Sequence, residues 1–295
     1  MEHQIPDLIL LDLSMPEVDR REFFRLLKCT PDLSEIPVIF LTSGTGDQTE
    51  ADCISMGAYD IIGKPIVKEV LLSRVEKALE LLEYRRDLQK KLDEKIRQME
   101  TAYIQTMAAL ANTIDAKDPD TNGHSMRVAY YSKQIARHLG YTEDDCENVY
   151  FIALLHDVGK IGVPDAILKK QDKLTPEEYE MMKNHTIVGA HILKDIKMLP
   201  GICEGTLYHH ARYDGTGYPY GLKGSEIPEI GRIISVADTY DAMTATRCYR
   251  KGMDPEIALQ ELKNNRGTQF DPDIVDTFLE IADQMEVPDY ENHLM

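Results

Sequence analysis

Leu154–Gly162 reads LLHDVGKIG, and the adjacent His156-Asp157 pair inside it decides how the larger part of this chain is to be read. Working outward, His124 lies upstream, and His185, the doublet His209-His210 and Asp238 lie downstream. These imidazoles and carboxylates supply enough donors for two divalent metals, which points to metal-assisted hydrolysis rather than to a passive module. Nitrogen and oxygen donors of this kind suit Fe, Mn, Ni, Co or Zn, so the residues restrict the metal without naming it. An adjacent His-Asp pair is weak evidence by itself, because neighbours on a helix point about 100° apart. The same residues set beside Gly123, Gly159, Gly215 and Gly217 are harder to explain as packing. His138 is expected on a solvated helix face and His191 as a neighbour of His185, neither as a first-choice ligand.

The chain has 295 residues, more than one compact domain usually holds, so two units are expected. Lys plus Arg total 33 against 51 Asp plus Glu, a net charge of -18. Such a field disfavours DNA and anionic membrane surfaces, and any anionic substrate must be neutralised locally. The five cysteines, at 29, 53, 146, 203 and 248, show no CxxC spacing, and their odd number suggests reduced thiols. There is no charged segment ahead of a short apolar one and no apolar run of membrane-spanning length. A cytoplasmic protein without membrane insertion is expected.

The first 75 or so residues read as alternating strands and helices. Asp7–Leu13 (DLILLDL) and Ile36–Leu41 (IPVIFL) are apolar runs of the kind found in buried parallel strands, with a helical Arg21–Lys28 between them. Asp47–Met56 gives another helix ending at Gly57, followed by a short strand over Ala58–Ile62 and a helix from about Val67. Asp12 ends the first strand, Thr42 and Ser43 end the second, and Lys64 follows the third. These ends converge on one rim of a parallel sheet, where such sheets place their sites.

The set PDLILLDLSMP, LTS and GAYDIIGKP resembles a response-regulator receiver domain. The resemblance implies Asp12 as phosphoacceptor, Thr42 as the hydroxyl that senses the phosphoryl group and Lys64 as the partner of its oxygens. It also marks departures: the first strand and the acidic pair that holds Mg²⁺ in a receiver are not in this stretch, Ile61 stands where an aromatic switch is usual, and Arg20 replaces a glycine. The expectation is a partial α/β receiver, a parallel sheet lacking its first strand, offering a docking surface for a signalling partner.

From Val75 to about Ile114 the chain has few helix breakers, and RRDLQKKLDEKIRQME sits in the middle. Leu92, Ile96, Met99, Tyr103, Thr106 and Leu110 recur at alternating spacings of four and three, like a heptad seam. A long connecting helix is expected, with a parallel homodimer across the seam favoured over packing of the stripe on its own domains. Beyond it the pattern is helical. Helices are expected over Ser125–Leu139, Asp144–Leu155, Ile202–His209 and Arg232–Ala245, the last carrying Asp238. Thr175-Pro176-Glu177-Glu178 reads as an N-cap, a proline at the first helical position and an acidic first turn, opening a helix that should carry His185. Arg212–Ile230 is too rich in Gly and Pro to be regular.

This half resembles the HD-GYP phosphodiesterases in five motifs, DPDTNGHSMRV, HDVGKIGVPDAIL, KNHTIVGAHIL, HHARYDGTGYPYGLKGSEIP and RIISVADTYDAMTATRCYR. The resemblance implies an all-α HD-superfamily domain over 113–285, preceded by the partial receiver at 1–75 and a connecting helix at 76–112, and followed by a tail at 286–295. It implies hydrolysis of cyclic di-GMP to linear pGpG and, in some members, GMP. It further implies that Asp157 bridges two divalent ions, with His124, His156 and Asp238 on one and His185, His209 and His210 on the other. Asp120 stands where some members hold a third ion. Lys160 would reach the phosphate as a point charge. Arg247 and Arg250 resemble a basic pair that holds phosphate or guanine, and Tyr218 in the Gly217-Tyr218-Pro219 loop would line the base pocket. Asp214 reads as a residue that fixes the loop. The Glu usual after the His doublet is Ala211 here. Two readings therefore stand beside hydrolysis of cyclic di-GMP: a cyclic-nucleotide sensor that binds without cutting, and a phosphodiesterase for pGpG or another cyclic dinucleotide.

Overall fold

The computed structural model describes residues 5–13, 20–43, 47–118, 123–246 and 251–285. The chain forms two compact units, 1–100 and 101–295.

In the first unit, β1 (Ile9–Asp12), α1 (Arg20–Cys29), α2 (Pro31–Ser34), β2 (Val38–Thr42), α3 (Asp47–Met56) and β3 (Asp60–Gly63) lead into α4 (Lys68–Asp115). The described strands make one parallel sheet in the order β1-β2-β3, with Leu10 opposite Ile39 and Phe40 opposite Ile61. Side chains alternate across a strand, and β2 shows the consequence. Val38 and Phe40 join Leu11, Phe24, Leu27 and Cys53 on one face, while Ile39 joins Ile62 and Ala78 on the other. A strand buried on both faces must be apolar throughout, which is why VIFL reads as one continuous run. The strands are shorter than the apolar runs suggest. Pro37 has no N–H to give a ladder, so β2 begins after it, and β3 begins at Asp60 because Gly57, in the left-handed region at φ 94°, closes α3 and turns the chain first.

Helix α4 is 48 residues long. Near its C-terminal end Met107, Ala111 and Ile114, spaced four and three apart, are buried in the core of the second unit. The apolar stripe of α4 is therefore divided. Tyr103 packs its ring against Phe151 with centroids 5.5 Å apart, whereas Leu92, Ile96 and Met99 are exposed.

The second unit is helical: α5 (His124–His138), α6 (Glu143–Leu154), a 3-10 turn over Val158–Gly162, α7 (Asp165–Leu168), α8 (Pro176–Lys183), α9 (His185–Leu193), α10 (Ile202–Tyr208), α11 (Glu229–Thr244), α12 (Pro255–Asn264) and α13 (Pro272–Ile281). Val128 and Ile135 of α5, Ile152 of α6, Ile233 and Ile234 of α11 and Phe278 of α13 form one core. Close approach of α10 to α6 depends on Gly205, where a Cβ would lie 2.3 Å from Ile152 Cγ2. Thr175 and Glu178 form the expected capping box at the start of α8. That helix does not carry His185. It ends at Lys183, Asn184 caps it, and His185 opens α9. No helix among the described residues is long and apolar enough to cross a membrane.

Candidate metal centre

Helix ends, not helix middles, deliver most of the polar residues of the centre. His124 is the first residue of α5, set by Gly123 at φ 66°. His156 follows the end of α6, His185 opens α9, and His209 and His210 follow α10. Three of these imidazoles use the same local device. Nδ1 lies 2.6 Å from the Ala153 carbonyl in His156, 2.7 Å from the Met182 carbonyl in His185 and 2.8 Å from the Thr206 carbonyl in His209. A carbonyl only accepts, so Nδ1 carries a proton in each ring and Nε2 is the atom that can turn to a ligand.

The Nε2 atoms gather on Asp157. His156 Nε2 is 3.4 Å from its Oδ2, and His185 and His209 Nε2 are 3.4 Å and 3.7 Å from its Oδ1. Gly159 makes this meeting sterically allowed, since a Cβ there would lie 1.8 Å from the His185 carbonyl oxygen. Donor atoms of Asp157, His185, His209 and His210 lie within 4.8 Å of one another, and so do those of His124, His156 and Asp157. Asp157 belongs to both sets. Asp238, from the middle of α11, closes the second side with Oδ1 3.3 Å from His124 Nε2.

These residues fit divalent metal ions, and the fit rests on more than residue type. His156 Nε2 and Asp157 Oδ1 are buried and find no hydrogen-bond partner among the described residues. Buried polar atoms are seldom left so, and a cation between them would satisfy both. Burial tends to raise the Asp157 carboxyl, but Lys160 and His156 beside it hold it well below the usual carboxylate range. Asp238 is likewise lowered, burial being outweighed by His124. Burial, only partly opposed by Asp157, holds His185 down to about 4, and burial with His209 alongside keeps His210 well below its ordinary value. Burial would also lower His124, yet Asp238 and Asp241 hold it up to about 10. The centre thus pairs ionised carboxylates with neutral imidazoles at His185 and His210, the donor state a divalent ion requires.

Lys160 Nζ lies 2.7 Å from Asp157 Oδ2. Burial works against its charge, but Asp157 and Asp118 keep its pKa above the ordinary lysine value. Tyr218 packs on His210 with ring centroids 5.0 Å apart, and Tyr179 stands edge-on to it at 6.4 Å. Lys183 Nζ lies over both tyrosines, 4.8 Å from the Tyr179 centroid and 5.7 Å from that of Tyr218. The loop carrying Tyr218 is held by Asp214, whose Oδ1 accepts from Thr216 N at 2.9 Å and whose Oδ2 is 2.9 Å from Arg212. Asp214 fixes the loop, as expected. Asp120, Arg247 and Arg250 lie outside the described residues. His138 and His191 are exposed.

At the sheet rim of the first unit, Lys64 Nζ lies 2.6 Å from Asp12 Oδ2, and Lys64 N donates to the Thr42 carbonyl at 2.7 Å. The strand ends therefore meet as the apolar runs imply.

Several residues of the centre escape the sequence reading. Asp241 accepts from His124 Nδ1 at 2.7 Å and from Arg127 Nε at 2.6 Å. It lies in the motif RIISVADTYDAMTATRCYR, three residues after Asp238 on the same helix. Asp118 and Lys183 open the motifs DPDTNGHSMRV and KNHTIVGAHIL without standing out within them, and Lys117 and Tyr179 lie outside every motif.

Residues 108–274 match the model of the HD domain family, and residues 1–76 match that of the response regulator receiver domain. A probable cyclic di-GMP phosphodiesterase of Vibrio cholerae serotype O1 is 36% identical over 92% of this chain and 67% of its own length. The cyclic di-GMP phosphodiesterase response regulator RpfG of Xanthomonas campestris pv. campestris is 34% identical over 95% of this chain and 76% of its own. A cyclic di-GMP phosphodiesterase of Thermotoga maritima is 34% identical over 95% of this chain and 80% of its own.

Proposed function

The chain belongs to the HD domain family and carries a response regulator receiver domain ahead of that domain, and on this footing we propose that it is a metal-dependent phosphodiesterase cutting cyclic di-GMP to pGpG, GMP or both. One observation carries the reading: Asp157 belongs to both sets of donors, as a carboxylate shared between two ions must. His124, His156 and Asp238 would complete one ion and His185, His209 and His210 the other, with Asp120 available to a third. Imidazole and carboxylate donors admit Fe, Mn, Ni, Co or Zn.

When bound, the ions supply Lewis acidity for water and for the phosphodiester oxygens. The chain's own residues do the rest. Lys160 places a buried positive charge beside Asp157, where a phosphate oxygen on the cluster would meet it. Tyr218, against His210, offers a ring to a base next to the cleaved phosphate. Arg247 and Arg250, three apart after α11, are assigned to the remaining phosphate or to a guanine edge. These contacts answer the requirement set by the acidic composition, that an anionic substrate be neutralised locally.

One observation favours a second reading, binding without hydrolysis. Ala211, buried next to His210, puts a methyl group where the family places a carboxylate. The two readings differ in a metal-reconstitution assay. Chelator-treated protein should leave cyclic di-GMP intact and regain hydrolysis on addition of Mn²⁺ or, anaerobically, Fe²⁺. Binding with no turnover under those conditions supports the sensor instead.

The partners follow from the same parts. The exposed stripe of Leu92, Ile96 and Met99 is assigned to a parallel homodimer across α4. The rim at Asp12, Thr42 and Lys64 is assigned to a signalling partner. A cytoplasmic location suits the free cysteines and the cyclic dinucleotide substrate.

A further inference from the structure

Lys117 lies two residues past the end of α4, and its ammonium group is spent on backbone. Nζ donates to the carbonyls of Lys160 at 3.1 Å, Ile161 at 2.9 Å and Val163 at 2.7 Å. An ammonium group has three N–H donors, so the set is complete. The Asp165 carboxylate, 3.6 Å away, adds a weaker, exposed ion pair. The carbonyls come from the last turn of the 3-10 segment that follows Asp157 and from the residue after it, a place where backbone oxygens collect negative charge and a cation is favoured. The next residue acts on the same target from the other side. Asp118 Oδ2 lies 3.4 Å from Lys160 Nζ. Two consecutive residues therefore hold Lys160 at both ends, one by its carbonyl and one by its ammonium group.

We infer that Lys117 and Asp118 are positioning residues for phosphodiester hydrolysis, acting through Lys160, and that they make the end of α4 the point at which that helix bears on the reaction. The inference rests on the proposed role of Lys160 at the phosphate. Lys160 alone, on a flexible four-carbon stem, could pair with Asp157 in several rotamers. Clamping its carbonyl and its Nζ together fixes the 3-10 turn and the charge relative to Asp157. A shift or rotation of the last turn of α4 would carry residues 117 and 118 with it and move the Lys160 charge. Misplacing such a group by about 1 Å can cost on the order of 10²-fold in rate.

A double-mutant cycle on the full, metal-loaded chain tests this, with cyclic di-GMP as substrate. Lys160→Met should lower kcat by roughly 10²-fold, and Lys117→Met by about 10-fold, with metal content by elemental analysis unchanged. Combined, they should be no worse than Lys160→Met alone, because Lys117 then has nothing left to position. Lys117→Arg should recover part of the loss. Asp118→Asn is the milder second variant, predicted to lower kcat severalfold in the wild-type background and to be silent beside Lys160→Met. Multiplying rate losses in the double variants, or full activity in both Lys117→Met and Asp118→Asn, overturns the inference. Full activity in Lys160→Met instead overturns the role given to Lys160, and the inference falls with it; that outcome is read from the single variant alone.

Discussion

His124 and Asp241 are joined by a hydrogen bond of 2.7 Å from Nδ1 to Oδ2, and the same carboxylate takes Arg127 Nε at 2.6 Å on its other oxygen. The consequence is a fixed ring. With Nδ1 turned to Asp241, Nε2 is left facing Asp238 at 3.3 Å, on the side of the cluster assigned to one ion. Asp241 is almost fully buried, and burial would raise its carboxyl, but His124 and Arg127 hold it below the ordinary range. A carboxylate behind a ligand imidazole orients it and raises its basicity.

Asp241→Asn keeps the shape and removes the charge. Metal affinity should fall by about 10- to 100-fold for the ion on the His124 side, while the His185 side binds as before. Titration of the chelator-stripped protein with Mn²⁺ or Co²⁺ measures both. Two unchanged affinities would show that Asp241 serves packing alone.

The metal-free protein should lose stability as the solution is acidified. Burial holds His185 down to about 4 and keeps His210 well below its usual value. An unfolded chain protonates each imidazole at about pH 6.5. Between pH 6.5 and 4 the unfolded state therefore binds more protons, so stability rises with pH and is lost as pH falls through this window. The melting temperature of chelated protein should drop from pH 6.5 to 4, and His185→Gln should flatten the slope by up to ~1.4 kcal/mol per pH unit. Parallel pH profiles for the two proteins would contradict a buried neutral imidazole.

How much of this was legible beforehand divides by the kind of signal. His156, Asp157, His185, His209, His210 and Asp238 stand out because imidazole and carboxylate in apolar, Gly-punctuated sequence have few reasons to be there other than ligation. Apolar runs such as VIFL are legible because burial on both faces leaves no polar position. What stays hidden depends on partners far along the chain. Lys117 looks like any lysine after a helix, and its carbonyl partner in Lys160 lies 43 residues on; a backbone oxygen has no identity to read. The break between α8 and α9 is hidden because Asn184 is neither Gly nor Pro. Tyr103 fits a heptad seam and a globular core equally, and only its contact with Phe151 separates them.

The exposed end of that stripe makes its own prediction. Ile96 and Met99 are 47% and 73% exposed on α4. If they meet a second copy, Ile96→Glu with Met99→Glu buries unpaired charge at the interface, and the mass by light scattering should fall from dimer to monomer with the melting of the helical unit unaltered. A wild-type chain that is already monomeric removes the seam from the account.

Hydrolysis of a cyclic dinucleotide at the Asp157 cluster is read from chromatography of the nucleotide products. Wild-type protein, kept anaerobic and supplied with Fe²⁺ or Mn²⁺, should convert cyclic di-GMP to pGpG, GMP or both. Asp157→Ala should form neither above the metal-only control, because it removes the carboxylate common to both donor sets. Cyclic di-GMP recovered intact from the wild-type reaction, or equal product from Asp157→Ala, would contradict the account.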